Sequence, residues 1–221
     1  MLLPHWPARG PNLPFLRHIG AILALAILVT VAGLGATLQT ASAKPVPASI
    51  VVDAETGEVL SRSNADVVTY PASLTKMMTL YLLFDALHNG TVKLTDRIKF
   101  SANAASEPAT NMNVKTGDSI VVETAILALV VRSANDVSTA IAERLGGTEA
   151  AFARMMTAKA RALGMTKTTF YNANGLPNPR QVTTARDMAV LGVALLRDHP
   201  PVLWLLQSQQ FCLSRQHLWW P

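Results

Sequence analysis

From Ser73 to His88 the chain reads Ser-Leu-Thr-Lys-Met-Met-Thr-Leu-Tyr-Leu-Leu-Phe-Asp-Ala-Leu-His, without glycine or proline and apolar on nearly every side. A helix that is hydrophobic all round is buried, so this run predicts a helix in the middle of a domain, with the other elements packed around it. Lys76 is the odd residue in it. Positions three apart share a helix face, so the Lys76 ammonium is expected over the Ser73 hydroxyl one turn back. That is the helix N-terminus, where the positive end of the dipole favours developing negative charge. A serine hydroxyl is inert at neutral pH until a base takes its proton, and an ammonium in an apolar site gives up its own proton more easily. Burial therefore suits Lys76 to be the base for a Ser73 nucleophile. Alone the motif is a weak signal, since a Ser-x-x-Lys is expected about once by chance in a chain of this size. Its place at the head of a buried helix strengthens it.

A length of 221 residues allows one ordinary domain or two small ones. Hydrophobic residues make up 50% of the chain and charged residues 15%, which is apolar for a soluble protein, but the excess is local. Between His18 and Lys44 there is no ionisable side chain, Arg9 and Arg17 precede the apolar run, and Ala41-Ser42-Ala43 closes it. Residues 1–43 therefore read as a secretory signal peptide, or as an uncleaved N-terminal anchor, since the run is long enough to span a bilayer. Either way the domain from Lys44 on is exported. The single Cys212 allows no internal disulfide, and the histidines at 5, 18, 88, 199 and 217 lack ligand spacing, so no metal and no cofactor are expected. A net charge of +5 and a pI near 9.7 suit anionic membrane or cell-wall polymers. The charges do not cluster as a nucleic-acid patch would, so no nucleic-acid partner is expected.

In chain order, residues 49–53 and 59–62 predict a hairpin around a polar, glycine-containing turn. The buried helix ends at Asn89-Gly90. Residues 97–100 and 119–122 read as short extended segments around residues 101–113, a polar loop expected to border a cleft. A second apolar helix from Val122 runs into the polar break Arg132-Ser133-Ala134-Asn135-Asp136, and helical spacing resumes at Val137 until Gly146-Gly147. Thr148 caps a helix ending at Gly164. Residues 171–179 form a turn-rich loop, and Thr184 with Asp187 caps a last helix through Arg197.

Ser73-x-x-Lys76 and Ser133-x-Asn135 follow in order, sixty residues apart (133 minus 73). They closely resemble two of the three motifs of the penicillin-binding D-alanyl-D-alanine carboxypeptidases. The phrases Ala48-Ser49-Ile50-Val51-Val52-Asp53-Ala54-Glu55-Thr56-Gly57, Tyr70-Pro71-Ala72-Ser73-Leu74-Thr75-Lys76, Ala128-Leu129-Val130-Val131-Arg132-Ser133-Ala134-Asn135-Asp136 and Thr184-Ala185-Arg186-Asp187 are similar to that family too. Coverage runs from residue 48 to residue 200. Ser101-Ala102-Asn103 also spells Ser-x-Asn but lies too near Ser73 and reads as loop. Lys115-Thr116-Gly117 spells the family's third motif, yet it precedes Ser133 where the family has a Gly-Asp turn, matched by Gly117-Asp118.

The resemblance implies an α/β (α+β) fold of the serine β-lactamase/transpeptidase type, a helical cluster plus an antiparallel sheet. Residues 44–207 would form the catalytic domain, without the C-terminal strands that carry Lys-Thr-Gly. Residues 208–221, ending in tandem tryptophans, do not resemble the family's continuation, and a frameshift or premature stop near residues 208–211 is the expectation. It also implies the chemistry. Ser73 would attack the bond between the terminal D-alanines of a peptidoglycan stem peptide, Lys76 would act as general base and Ser133 as proton relay, while Asn135 would bind substrate and hold Lys76. β-Lactams would be trapped as acyl-serine. The expected location is periplasmic, across the inner membrane and in association with it. Lacking one oxyanion donor, which typically contributes about a hundredfold to a thousandfold in rate, the 221 residues alone are expected to turn over little substrate. A serine β-lactamase shares the Ser73/Lys76 chemistry but needs a carboxylate for its deacylating water, and residues 171–180 offer none. A non-catalytic wall-binding or defective fragment is the third reading.

Overall fold

The computed structural model describes residues 47–200; the leader, Cys212 and the tail with its tandem tryptophans lie outside them. Ser49–Val52 (β1) and Val59–Ser63 (β2) pair antiparallel, Ser49 opposite Ser63, with an irregularity at Val51/Val52. The turn between them is built as its sequence suggests. Asp53 Oδ1 accepts from the Glu55 and Thr56 main-chain N–H groups at 3.0 and 2.7 Å, and Gly57 takes a φ of 74° that a side chain would resist.

Thr75–His88 forms α1, entered through a 3₁₀ turn at Ala72–Leu74. Four helices pack on α1: Val122–Arg132 (α3), Asn135–Gly146 (α4), Glu149–Ala162 (α5) and Ala185–Asp198 (α6). This is the surround that an all-apolar helix requires. Met78 and Leu83 of α1 are fully buried against a core that includes Ile126, Ile141, Phe152, Met156 and Leu191. Each such side chain removed from water contributes about 1.5–3 kcal/mol. A second antiparallel pair, Arg97–Lys99 (β3) with Ser119–Val121 (β4), packs against α3 and α4, with Ile98 fully buried between its exposed neighbours. Among the described residues no helix is long and apolar enough to cross a membrane.

Two local expectations change. Residues 101–105 are not loop: Ser101 Oγ accepts from the Ala104 N–H at 3.0 Å and caps the one-turn helix Ala102–Ala105 (α2). One turn is too short to leave a hydrophobic period in the sequence. The helix expected from Val137 begins two residues earlier, so the polar break narrows to Ser133 and Ala134.

The cap of α6 does more than end a helix. Thr184 Oγ1 accepts from the Asp187 N–H at 3.0 Å, and the Asp187 carboxylate turns back to accept from Lys167 N at 2.9 Å and Thr168 Oγ1 at 2.6 Å. Asp187 is buried, so Asp187→Ala strands two donors and is expected to destabilise the fold by about 2–3 kcal/mol in a denaturant titration. Its neighbour Arg186 pairs with Asp66 in solvent, and Arg186→Ala should leave the unfolding midpoint nearly unchanged.

Candidate active site

Ala72 has a φ of 47°, and this kink sets Ser73 at the mouth of α1, exposed, while Lys76 one turn on is only 4% exposed. Thr79 continues the same stripe at a further three residues. Two of these side chains hold one loop: Lys76 Nζ donates to the Asn174 carbonyl at 2.5 Å and Thr79 Oγ1 to the Ala173 carbonyl at 2.7 Å. Loop and helix approach so closely that a side chain at Gly175, whose φ is 89°, would place its Cβ 1.9 Å from the Ala72 carbonyl oxygen. Only glycine fits there.

The second motif arrives from the α3–α4 junction. Ser133 ends α3 in the left-handed conformation, φ 54° and ψ 39°, and Asn135 opens α4. Three bonds tie this elbow to the loop after α2. The Asn135 N–H donates to the Thr110 carbonyl at 2.7 Å, Asn135 Nδ2 donates to the Pro108 carbonyl at 3.0 Å, and Thr110 Oγ1 donates to the Ser133 carbonyl at 3.0 Å. Asp136 reinforces them by accepting from the Met112 and Val137 N–H groups. With Nδ2 engaged by a carbonyl, the amide's orientation is fixed, and Oδ1 accepts from Lys76 Nζ at 2.8 Å. Each end of the Asn135 amide thus makes one framework bond, which leaves one Nδ2 N–H and one Oδ1 lone pair for a further partner.

Burial pushes the Lys76 ammonium down to about 8, and the Glu107 carboxylate works against that fall. In its neutral form the amine has two N–H donors. Asn135 and Asn174 take both, which leaves the nitrogen lone pair for a third partner. Ser73, Lys76 and Ser133 line one cleft of about 770 Å³ whose remaining wall is largely apolar, with Leu80, Phe84, Leu129 and Leu195 among its members. The structure thus brings all four sequence-derived residues to one place. Ser73, Lys76 and Ser133 face a common cavity, and Asn135 holds the amine from behind.

Asn174, Gly175, Thr139 and Glu107 escaped the sequence reading as individuals. The sequence marks only the loops that carry Glu107, Asn174 and Gly175, residues 101–113 as a cleft border and residues 171–179 as turn-rich. A contact made by a main-chain carbonyl, as at Asn174, leaves no mark on residue type. Among the described residues no cluster of three or more histidine, cysteine, aspartate or glutamate side chains could hold a metal.

This arrangement of helices and short antiparallel pairs is that of the penicillin-binding proteins. It superposes on the D-alanyl-D-alanine carboxypeptidase DacD of Francisella tularensis with a TM-score of 0.69 at 39% identity, over 71% of this chain and 38% of that one. Penicillin-binding protein 5 of Haemophilus influenzae gives 0.67 at 31% identity, over 71% of this chain and 48% of that one. The chain belongs to the D-alanyl-D-alanine carboxypeptidase family, whose model matches residues 36–221. Among its relatives, DacC of Escherichia coli is 36% identical over 185 residues, which are 80% of this chain and 46% of DacC. DacF of Bacillus subtilis is 34% identical over 67% of this chain and 38% of its own length. The chain therefore spans less than half the length of these curated relatives.

Proposed function

We propose that the protein to which these residues belong is a serine-type D-Ala-D-Ala carboxypeptidase that trims the terminal D-alanine from peptidoglycan stem peptides through an acyl-serine. The observation that carries this is the state of Lys76: a buried amine, poised near 8, its N–H bonds engaged, in the wall of the cleft that Ser73 lines. Ser73 Oγ attacks the carbonyl carbon of the scissile amide as Lys76 Nζ takes its proton. The C–N bond then breaks as Ser133, which lines the same cleft, gives its proton to the leaving amine and takes in exchange the one that Lys76 gained. D-Alanine departs, the acyl chain remains on Ser73, and water hydrolyses the ester. Asn135 hydrogen-bonds the substrate peptide and fixes Lys76.

A β-lactam presents a similar acyl carbon and would stop at the ester. Penicillin-binding protein D2 of Listeria monocytogenes, 30% identical with a TM-score of 0.64, has been solved with cefotaxime bound, which supports this choice of probe. The apolar leader at residues 19–38 supports export, and with it a periplasmic site of action in association with the inner membrane. The test is covalent labelling of the protein at the full length of its relatives. A fluorescent penicillin should add one equivalent to Ser73, located by peptide mass spectrometry, and none to the Ser73→Ala variant. An adduct elsewhere, or none, would overturn the assignment, and rapid nitrocefin turnover would favour a β-lactamase.

A further inference from the structure

Behind Lys76 stands a carboxylate that neither motif contains. Glu107 accepts a hydrogen bond from Thr139 Oγ1 at 2.8 Å, and Thr139 is fully buried on α4. The same hydroxyl accepts from Asn174 Nδ2 at 3.3 Å, and the Asn174 carbonyl accepts from Lys76 Nζ. Asn174 thus bridges the two, its side-chain amide bonded to the Thr139 hydroxyl that holds the carboxylate and its main-chain carbonyl bonded to the amine. Glu107 is also anchored through its own chain, because the Thr110 carbonyl takes the main-chain N–H of Asn135 and the Pro108 carbonyl one N–H of its Nδ2. Burial pushes the Glu107 carboxyl up and the charges of Glu149 and Asp136 push it further, while the bond from Thr139 holds part of the rise back. Among the described residues Glu107 is the charged group acting on the Lys76 amine, and its sign opposes deprotonation.

Resting on the acyl-serine reading of the cleft, we propose that Glu107 is a positioning residue for the proton of Lys76. Fixed through Thr139 and Asn174, its negative charge keeps the amine in the ammonium form in mildly acid surroundings and releases it for Ser73 only as the pH rises. Glu107 would then set the lower pH limit of the reaction without touching substrate.

Glu107→Gln separates charge from structure, since its amide oxygen still accepts from Thr139 at nearly the same volume. In the protein at the full length of its relatives, carrying 13C-labelled lysine and with the Lys76 resonance identified by its loss in Lys76→Arg, the titration midpoint of Lys76 should fall by about one pH unit in Glu107→Gln. The acid limb of penicillin acylation at Ser73 should fall equally. Acylation at pH 6 would then rise up to about tenfold while the rate above pH 9 stays unchanged. A merely structural glutamate would give a slower enzyme at every pH, so a gain of rate in acid discriminates. Thr139→Val is the second variant, for use should Glu107→Gln fail to fold. Without the Thr139 hydroxyl the carboxylate loses its tie to Asn174, and the Lys76 midpoint should move from the parent's value. An unmoved midpoint in a folded variant overturns the role of Glu107. Failure of the parent to acylate at Ser73 overturns the acyl-serine reading instead, and the lysine titration still decides the coupling.

Discussion

Lys76→Ala should lower the rate of penicillin acylation at Ser73 by about a hundredfold to ten-thousandfold, the usual contribution of a positioned general base. Two effects of the substitution must be kept apart. It removes the base, and it strands Asn135 Oδ1 and the Asn174 carbonyl, which lose their buried donor at a cost of about 1–3 kcal/mol. Lys76→Arg separates them, because a guanidinium still donates to both oxygens but does not deprotonate in the working range. Both variants should be slow, and Lys76→Arg should keep more of the parent's resistance to urea. The measurement is a time course of fluorescent-penicillin labelling beside a urea titration. A Lys76→Arg protein that acylates at the parent rate would remove the amine from the mechanism. In the parent, acylation should climb as the pH passes about 8, because below that value the amine is held as ammonium and has no lone pair to offer.

The second large effect is expected at Gly175→Ala, a change of one methyl group. The added Cβ would fall 1.9 Å from the Ala72 carbonyl oxygen and 3.1 Å from the Ser73 nitrogen, so either the loop or the nucleophile's turn must move. The residue also sits at a φ of 89°, which costs a non-glycine residue about 1–3 kcal/mol before any clash is counted. Together with overpacking, the loss should be on the order of 3 kcal/mol or more. Any molecules that remain folded will have displaced the Asn174 carbonyl from Lys76 or Ser73 from its turn. A further loss of about a hundredfold in acylation is the expected price of such a misplacement. Gly164→Ala is the control, with a similar φ of 87° and nothing within 4 Å of the built Cβ, so it reports backbone strain alone. A Gly175→Ala protein that melts with Gly164→Ala and labels normally would contradict the close approach.

The sequence carried the helix and the motif chemistry because both are local. Sixteen positions from Ser73 to His88 with no helix breaker (88 minus 73, plus one) announce a buried helix, and three-residue spacing places Ser73, Lys76 and Thr79 on one stripe. The hairpin at Asp53 and the caps at Thr148 and Thr184 were legible for the same reason, each being a contact within a few residues. What the sequence could not show is which strangers meet. Asn174 reaches Lys76 through a carbonyl that every residue possesses, so nothing in its side chain advertises the role. Glu107 sits in a polar stretch where a carboxylate is ordinary, and only the fold reveals that Thr139 and Asn174 link it to the amine. The kink at Ser133 is likewise invisible, since a serine in the left-handed region is written with the same letter as any other.

The two acceptors of the Lys76 amine lie 59 and 98 positions further along the chain. Loop closure over such spans comes late, after the helices they join have begun to pack. A polypeptide still emerging from the ribosome would therefore carry an ordinary, freely protonated lysine until Asn174 has left the exit tunnel. The acid–base character of that one nitrogen would make a built-in gauge of whether the architecture has finished assembling.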